Sequence, residues 1–510
     1  MSTDTQTAGQ QLDDDLKVLH GMGYAQELAR SMKGFQNFAI SFSIICILSG
    51  GINSLGQGIS GVGGAAIGIG WIVGCAVSFI FALGMAQIGS AFPTAGGLYH
   101  WGSILGGRGW GWLTAWLNLI GLVTVLGAIN VGTFNFFIGA FGARLGLEAN
   151  FTTQAVFVVA ITAIQALVNH LGIRLTARLT DLSGYLILIT AAGLTLALLA
   201  YAPSWDFSRL VSFKNYSGPA GGDVWPATGN LLLLFGLGLL LPIYTITGFD
   251  ASAHTAEETH DAAKNVPKGI ISSVLWSVLF GYIMVCSFVL VMPDLTAGMK
   301  MGTGFFEAIL APIPTGLRVT IEVLMFFINF VCGLAAVTSC SRMMYAFARD
   351  GGLPGSHWLK QVHHVQRTPG TAIWVTAVLA ISITLYGDAF TVLGAGSAVF
   401  LFISYAMPIA AGLLSEGKSW TKKGPFNLGA WSKPFAVLGV IGALVLAYVG
   451  MQPPNEKVAY VTMALLAVLL VIWFVFGVNK RFAGPPIGKR IAERQAHMGE
   501  IEAEFVPQKG

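Results

Sequence analysis

The feature that most constrains this chain is a series of long segments that contain no charged side chain. The longest, residues 34–107, has no Asp, Glu, Lys or Arg. A charged side chain at the centre of a bilayer costs at least about 2.5 to 3.5 kcal/mol on insertion scales. A helix of roughly 20 apolar residues is long enough to cross the bilayer. These segments therefore predict membrane-spanning helices.

Composition excludes the other broad classes of protein. The chain is 54% hydrophobic and only 10% charged, whereas soluble domains carry about 25% charged residues. A soluble enzyme, a disordered scaffold and a secreted disulfide domain are excluded. The five cysteines lie in apolar stretches without a CxxC spacing, so we expect no disulfide framework, no metal site and no cofactor. The net charge of +4 comes from scattered basic residues, which gives no reason to expect a nucleic-acid partner.

Counting the charge-free segments predicts the number of spans. Residues 34–107 are long enough for spans 1 and 2, and ten later segments hold one span each, which gives twelve. Spans 3 to 12 are residues 109–143, 149–173, 182–205, 224–249, 269–293, 323–341, 368–387, 389–415, 434–455 and 458–479.

The basic residues predict the orientation of the chain. With a cytoplasmic N-terminus, 22 of the 28 Lys and Arg residues fall in cytoplasmic segments. Lys and Arg are enriched in cytoplasmic loops, so both termini are expected inside the cell. The predicted parts are a cytoplasmic tail, spans 1 to 5, an extracytoplasmic loop, spans 6 to 10, spans 11 and 12, and a second cytoplasmic tail. Their boundaries are residues 1–34, 35–201, 202–226, 227–415, 434–479 and 480–510.

Two spans contain helix-breaking residues at corresponding places. Gly50 and Gly51 are adjacent in the middle of span 1, and Pro242, Gly248 and Asp250 occur together in span 6. Interrupted spans five apart predict a five-plus-five inverted repeat with a binding site near the membrane midplane, because unwound backbone is tolerated in lipid only where it is buried or lines a cavity. The alternative is that the glycine pair only permits close helix packing.

Several motifs resemble those of one transporter superfamily. They are PTAGGLYHW (Pro93 to Trp101), GFDASAHTAEET (Gly248 to Thr259), KNVPKGI (Lys264 to Ile270) and TSCSRMMYAFARDGGLP (Thr338 to Pro354). Together they are similar to the amino acid/polyamine/organocation superfamily, in its amino acid/choline branch with GABA and choline permeases. The resemblance implies an all-α integral membrane protein with the leucine-transporter fold, in which spans 11 and 12 are peripheral.

The breaks also predict where substrate binds. An amino acid's carboxylate can be held by exposed N–H groups at broken helix ends, without a full counter-charge. Aromatic side chains can close over the rest of the molecule. A serine at such a place can instead bond its own helix. The expected substrate-binding residues are Ser49, Gly50, Gly51, Ile52, Tyr244, Thr245, Thr247, Phe249 and Asp250.

Asp250 has three open interpretations. An ionisable residue at membrane depth is a functional candidate by default, so Asp250 is expected either to contact a substrate amine or cation, or to carry a proton. It could also cap the restarted half-helix. His254 follows four residues later and shares its face if the segment is helical. Histidine changes charge near physiological pH, but His254 could equally well bond only backbone.

Other residues bear on the coupling ion and on an inner gate, and they do not favour one coupling ion consistently. By resemblance, Thr338 and Ser339 in span 8 stand where sodium-coupled members of this fold place part of a sodium site, although hydroxyls also pack helices together. Ile187 stands where proton-coupled relatives and exchangers often carry a lysine. Glu257 and Glu258, together with Lys264 and Lys268, are expected to form an inner gate or solvated salt bridges.

The sequence therefore predicts a transporter and not an enzyme. No nucleophile-base pair, metal cluster or phosphate loop is evident within the spans. We expect a secondary active transporter that imports a small amino acid such as GABA, or a related amine, by alternating access and with proton coupling. Choline or polyamine transport, sodium-coupled symport, exchange and a channel are the alternatives. The expected partners are the substrate, H⁺ or Na⁺ and the bilayer, and the expected location is a plasma membrane of the bacterial inner-membrane type.

Overall fold

A computed structural model describes residues 14–301, 304–385 and 389–505, and in this part of the chain the secondary structure is helical, with two isolated β-bridges. Ten helices are long and apolar enough to cross a membrane. Two shorter apolar helices, Leu231–Thr245 and Gly370–Thr384, fall on predicted spans 6 and 9. The ten long helices are Gly34–Asn53, Ala65–Ala91, Arg108–Leu145, Phe151–His170, Ile173–Tyr201, Ala262–Val291, Thr315–Arg349, Leu393–Ser415, Gly429–Gly450 and Glu456–Phe474.

Several helices extend past the charge-free segments that predicted them. Span 5 begins at Ile173 and span 8 ends at Arg349, so both include charged residues in their terminal turns. Long charged side chains near helix ends can reach polar surroundings, so the charge-free segment marks the middle of a span better than its ends.

Span 1 is broken at Cys46 and not at the glycine pair. It consists of a first half, Gly34–Ile45, and a second half, Ile47–Asn53, joined by Cys46 in a left-handed conformation with φ of 35°. Gly50 and Gly51 lie inside the second half. A Cβ atom on Gly50 would lie 2.9 Å from Cα of Thr245. The predicted interruption therefore exists one turn earlier than expected, and the glycine pair allows close helix contact.

Span 6 is broken between Thr245 and Ala251. Its first half, Leu231–Thr245, is followed by non-helical backbone and by the short second half, Ala251–His254. Gly248 has φ of +86° within this break, and a Cβ atom there would collide with the side chain of Ile44. The sequence prediction of this interruption is confirmed.

The first half of span 1 is hydrogen-bonded to the second half of span 6. The Ser41 hydroxyl donates to the carbonyl of Phe249 over 2.9 Å. The Asn37 amide donates to the carbonyl of Ser252 over 2.9 Å, and the Ser252 hydroxyl donates to the carbonyl of Asn37 over 2.8 Å. All four residues are buried. Ser41 and Asn37 thus satisfy the carbonyls of Phe249 and Ser252, which receive no backbone N–H beside the break in span 6.

The remaining spans surround these broken helices in a bundle. Spans 1, 3 and 10 are the most buried, whereas spans 4, 11 and 12 are mostly exposed. Apolar side chains such as Leu444 and Leu470 are exposed on spans 11 and 12, as lipid contact requires. The arrangement is the predicted all-α membrane fold with two peripheral helices.

The close contact between the two broken spans predicts the effect of a small substitution. Gly50→Ala places a methyl group against Thr245, and overpacking of this kind typically costs about 1 to 3 kcal/mol. We expect a lower unfolding temperature in detergent. Gly56→Ala is the matched control, because a Cβ atom there meets nothing within 4 Å. Equal unfolding temperatures of the two variants would contradict the packing role of Gly50.

Candidate substrate and coupling-ion site

Backbone donors without a partner lie just after the break in span 1. Ser49 and Gly50 donate their N–H groups to the carbonyl of Cys46, over 2.8 and 3.0 Å. Within the described chain no acceptor bonds the N–H groups of Ile47 and Leu48. The predicted donors at Ser49 to Ile52 are therefore misplaced by about half a helical turn, because the helix restarts at Ile47 and its first N–H groups are the free ones.

The break in span 6 leaves a second set of free donors. The N–H of Gly248 donates to the Tyr405 hydroxyl over 3.1 Å. The N–H groups of Thr247, Phe249 and Asp250 have no acceptor among the described residues. These donors belong to residues buried in the protein. They are therefore available to a bound anion or to ordered water.

The side chains predicted to bind substrate have different neighbours around the two breaks. The Thr245 hydroxyl donates to the carbonyl of Leu241 in its own helix, over 2.8 Å. Phe249 packs against Tyr405 with ring centroids 5.0 Å apart. Tyr244 lies near the thiols of Cys46 and Cys332. Ile52 belongs to the rim of the main core. The breaks bring most of the predicted residues into one region, but not all as ligands of one molecule.

The Asp250 carboxyl group is buried and has side-chain hydrogen-bond partners on both of its oxygens. Its side chain is 0% exposed. Tyr405 of span 10 donates its hydroxyl to one carboxylate oxygen over 2.8 Å, and Asn118 of span 3 donates its amide to the other over 3.1 Å. His254 Nε2 lies 3.2 Å from that second oxygen. Two other spans and the short helix that follows Asp250 thus converge on a single carboxyl group.

His254 is held between two acceptors. Its Nδ1 atom lies 3.1 Å from the carbonyl oxygen of Ala95, in the loop after span 2, and its Nε2 atom faces Asp250. The predicted placement of Asp250 and His254 on one helical face is confirmed. His254 does not bond only backbone, because one nitrogen faces the Ala95 carbonyl and the other faces the Asp250 carboxyl group; its role in coupling stays a prediction.

The capping interpretation of Asp250 does not fit the structure. Asp250 occupies the N-cap position of the helix Ala251–His254, but its side chain makes no capping hydrogen bond. The carboxylate instead points to Asn118, Tyr405 and His254. Contact with a substrate amine would require one of these partners to move.

The two hydroxyls predicted for a sodium site differ in their hydrogen bonds. The Thr338 hydroxyl lies 2.6 Å from the side-chain oxygen of Asn169 in span 4 and 3.1 Å from the carbonyl of Leu334. The Ser339 hydroxyl is buried and has no hydrogen-bond partner in the described chain. Thr338 is therefore engaged in helix packing, which was the alternative interpretation.

Glu257 and Glu258 have partners other than the predicted lysines. Arg342 makes a bidentate contact with Glu258 over 2.9 and 3.0 Å, and Arg349 makes one with Glu257 over 2.8 and 2.9 Å. Both pairs are buried. Lys264 pairs with Asp261 at the surface. The expectation of solvated salt bridges is wrong, because span 8 covers these carboxylates and supplies guanidinium groups that match them.

Sequence reasoning missed Asn118, Tyr405, Arg342 and Arg349. The spacing of the two arginines could have predicted that they share a role, because residues seven apart lie on one face of a helix. Asn118 and Tyr405 had no such signal. Each lies in a predicted span without charged residues, far along the chain from Asp250.

Comparison with known proteins identifies the family. A profile described as amino acid permease matches residues 33–476. The chain belongs to the amino acid permease family. The permease is 32% identical over 507 residues to amino-acid permease BAT1 of Arabidopsis thaliana, with 93% of this chain and 96% of that protein covered. It is 29% identical to the GABA-specific permease of Saccharomyces cerevisiae, with 87% and 79% covered. The resemblance drawn from the motifs is confirmed, and the named relatives are transporters.

A solved structure supports the fold. The crystal structure of MhsT in complex with L-phenylalanine aligns with the permease at a TM-score of 0.55 and 11% identity, covering 83% of this chain and 98% of that chain. At this identity the likeness concerns the fold, which is the predicted leucine-transporter type.

The buried ion pairs of the permease predict a specific stability pattern. Arg342→Gln or Glu258→Gln leaves one charge buried without a partner, which typically destabilises by about 3 to 5 kcal/mol. The double variant should lose clearly less than the sum of both. Lys264→Gln, in an exposed pair, should change stability by less than about 0.5 kcal/mol. Thermal unfolding in detergent measures all four. Additive losses would show that Arg342 and Glu258 do not depend on each other.

Proposed function

We propose that this permease imports a small amino acid such as GABA by alternating access and takes up a proton with it. The observation that carries the coupling is the position of His254 between the Ala95 carbonyl and the Asp250 carboxyl group. A related amine is the alternative substrate. Sodium-coupled symport and exchange are the alternative modes of transport.

The hydrogen bonds of this pair require one extra proton. A neutral imidazole has one N–H and one acceptor nitrogen, whereas both nitrogens of His254 face oxygen atoms. The contacts are complete if the imidazole is protonated, or if Asp250 is protonated and donates to Nε2. In either case the pair holds one proton more than a neutral histidine beside a carboxylate. Losing that proton breaks one contact in a buried place, where an unmet polar group typically costs about 1 to 3 kcal/mol.

This proton can be linked to the substrate site through the break in span 6. Asp250 is two residues after Gly248, and its own backbone N–H is one of the free donors of that break. The other titratable groups close to Asp250 are Tyr405 and Cys340. A proton on the Asp250 and His254 pair therefore favours the closed arrangement, in which Asn118 and Tyr405 also contact the carboxyl group.

For the substrate, the proposal rests on the free backbone donors. The N–H groups of Ile47 and Leu48 in span 1, and of Thr247 in span 6, would bind a carboxylate without an opposing full charge. The similarity to a relative named GABA-specific permease supports a small amino acid. We propose GABA as the first compound to test, followed by other small amino acids and choline.

Proton coupling is tested by uptake into liposomes that contain the purified permease. We expect accumulation of radiolabelled GABA under an imposed inward proton gradient, equally with and without sodium, and less uptake as the external pH rises. Asp250→Asn imitates a permanently neutral side chain and should lose gradient-driven accumulation while retaining exchange across the membrane. Thr338→Ala is the matched control and should keep proton dependence. Strict sodium dependence, or accumulation by Asp250→Asn equal to the wild type, would exclude the mechanism.

We also propose a plasma-membrane location with both tails cytoplasmic; the bacterial inner membrane stays a prediction. The distribution of basic residues supports this orientation. The described parts of both tails also lie at one face, since His20 is 2.7 Å from Glu502.

Orientation is tested by cysteine labelling on intact cells. Lys214→Cys lies in the loop between spans 5 and 6 and should react with an impermeant thiol reagent from outside. Lys422→Cys, between spans 10 and 11, should react only after the cells are opened. Both positions are exposed and the five native cysteines are buried, so background labelling should be low. The reverse pattern would invert the orientation.

A further inference from the structure

Two thiol groups meet at the break in span 1. Cys332 of span 8 donates its thiol to the carbonyl of Ile44 over 3.3 Å and contacts the thiol of Cys46. Both cysteines are at most 1% exposed. Cys46 is the residue with φ of 35° that joins the two halves of span 1. The sulfur pair therefore lies between the unpaired backbone groups of one repeat and the face of a span from the other.

The other three cysteines have different neighbours. Cys340 accepts a hydrogen bond from Thr376, Cys286 contacts Tyr282, and Cys75 is surrounded by apolar atoms. Among the described residues no group of three His, Cys, Asp or Glu side chains could hold a metal ion. A tetrahedral zinc site, which needs four ligands, is therefore not available at Cys46. Two thiolates alone suit a soft ion that accepts two linear sulfur ligands.

We propose that Cys46 and Cys332 form a two-thiol site for a soft metal ion of the Hg²⁺ or Cu⁺ class, and that an ion bound there locks span 1 to span 8. With mercuric chloride, both S–H bonds break and two S–Hg bonds form. Two protons and two chloride ions are released. No electron is transferred. The thiols become accessible to the reagent when the site between the repeats opens.

The bridge would stop the movement that alternating access needs. Span 1 belongs to the first repeat and span 8 to the second, and transport in this fold moves one repeat or bundle against the other. An S–Hg–S bridge is short, so it fixes the break in span 1 against span 8. The binding step itself is independent of which substrate or coupling ion the permease uses.

The test uses the purified full-length permease, mercuric chloride as the probe and mass spectrometry. After treatment, excess 2-mercaptoethanol removes mercury held by single thiols. We expect wild-type protein to retain one mercury atom in place of two hydrogens. Cys46→Ser and Cys332→Ser should each retain none, whereas Cys75→Ser and Cys340→Ser should behave as the wild type. Unfolding temperatures measured without mercury verify that each variant is folded.

Three results would overturn the proposal. Retention of mercury by folded Cys332→Ser or Cys46→Ser would show that the bridge lies elsewhere, and loss of mercury from the wild type would show that no bridge forms. Locking is measured by amide hydrogen exchange of residues 44–53, which should slow at least about tenfold in the bridged protein because local opening is suppressed. Unchanged exchange would refute the lock. None of these readouts depends on proton coupling, so failure of the proposed function would be seen separately, in the uptake assay.

Discussion

The carboxyl group of Asp250 imposes the strongest constraint on the centre of this permease. A charge taken out of water is expensive unless it is paired and fully hydrogen-bonded. Here the partners come from span 3, span 10 and the short helix after the break in span 6. The same carboxyl group therefore specifies how two distant spans, 3 and 10, must pack against the break in span 6. An apolar residue at this position would remove that requirement together with the possibility of proton coupling.

The broken helices make this arrangement possible. An unbroken span 6 would use its backbone N–H groups internally and would leave no free donors at membrane depth. The break exposes them, and Ser41 and Asn37 of span 1 satisfy carbonyl groups on the other side. The buried pairs of Arg342 with Glu258 and Arg349 with Glu257 then hold span 8 against the segment that follows the break. The free backbone donors of span 6, the contact between Asp250 and His254 and the carboxylates of both ion pairs thus lie along one stretch of chain, residues 247–258.

Much of this was predictable from sequence because it depends on local patterns. Charge-free segments predicted each span, and Pro242 with Gly248 predicted the break in span 6. The spacing of Asp250 and His254 placed both on one helical face. These inferences succeed because helix geometry fixes which near neighbours meet.

Partners across spans were not predictable in the same way. Asn118 and Tyr405 reach Asp250 only through packing of whole helices, and several other polar residues of their spans have no such role. The break in span 1 was predicted at Gly50 and lies at Cys46, because a non-glycine residue adopts the left-handed conformation there and the glycines serve close contact with span 6. The prediction paired Glu257 and Glu258 with Lys264 and Lys268, which are nearer in sequence than the two arginines. In the structure both lysines are exposed at the surface.

We propose that closure of the site around substrate requires one extra proton on the Asp250 and His254 pair. Calorimetric titration of the purified permease with its substrate, in buffers of different ionisation enthalpy, counts the protons taken up on binding. Where the substrate-free permease lacks this extra proton, we predict that binding takes up about one proton per substrate in the wild type and none in Asp250→Asn. Substrate binding by the wild type without proton uptake at any pH would contradict the account.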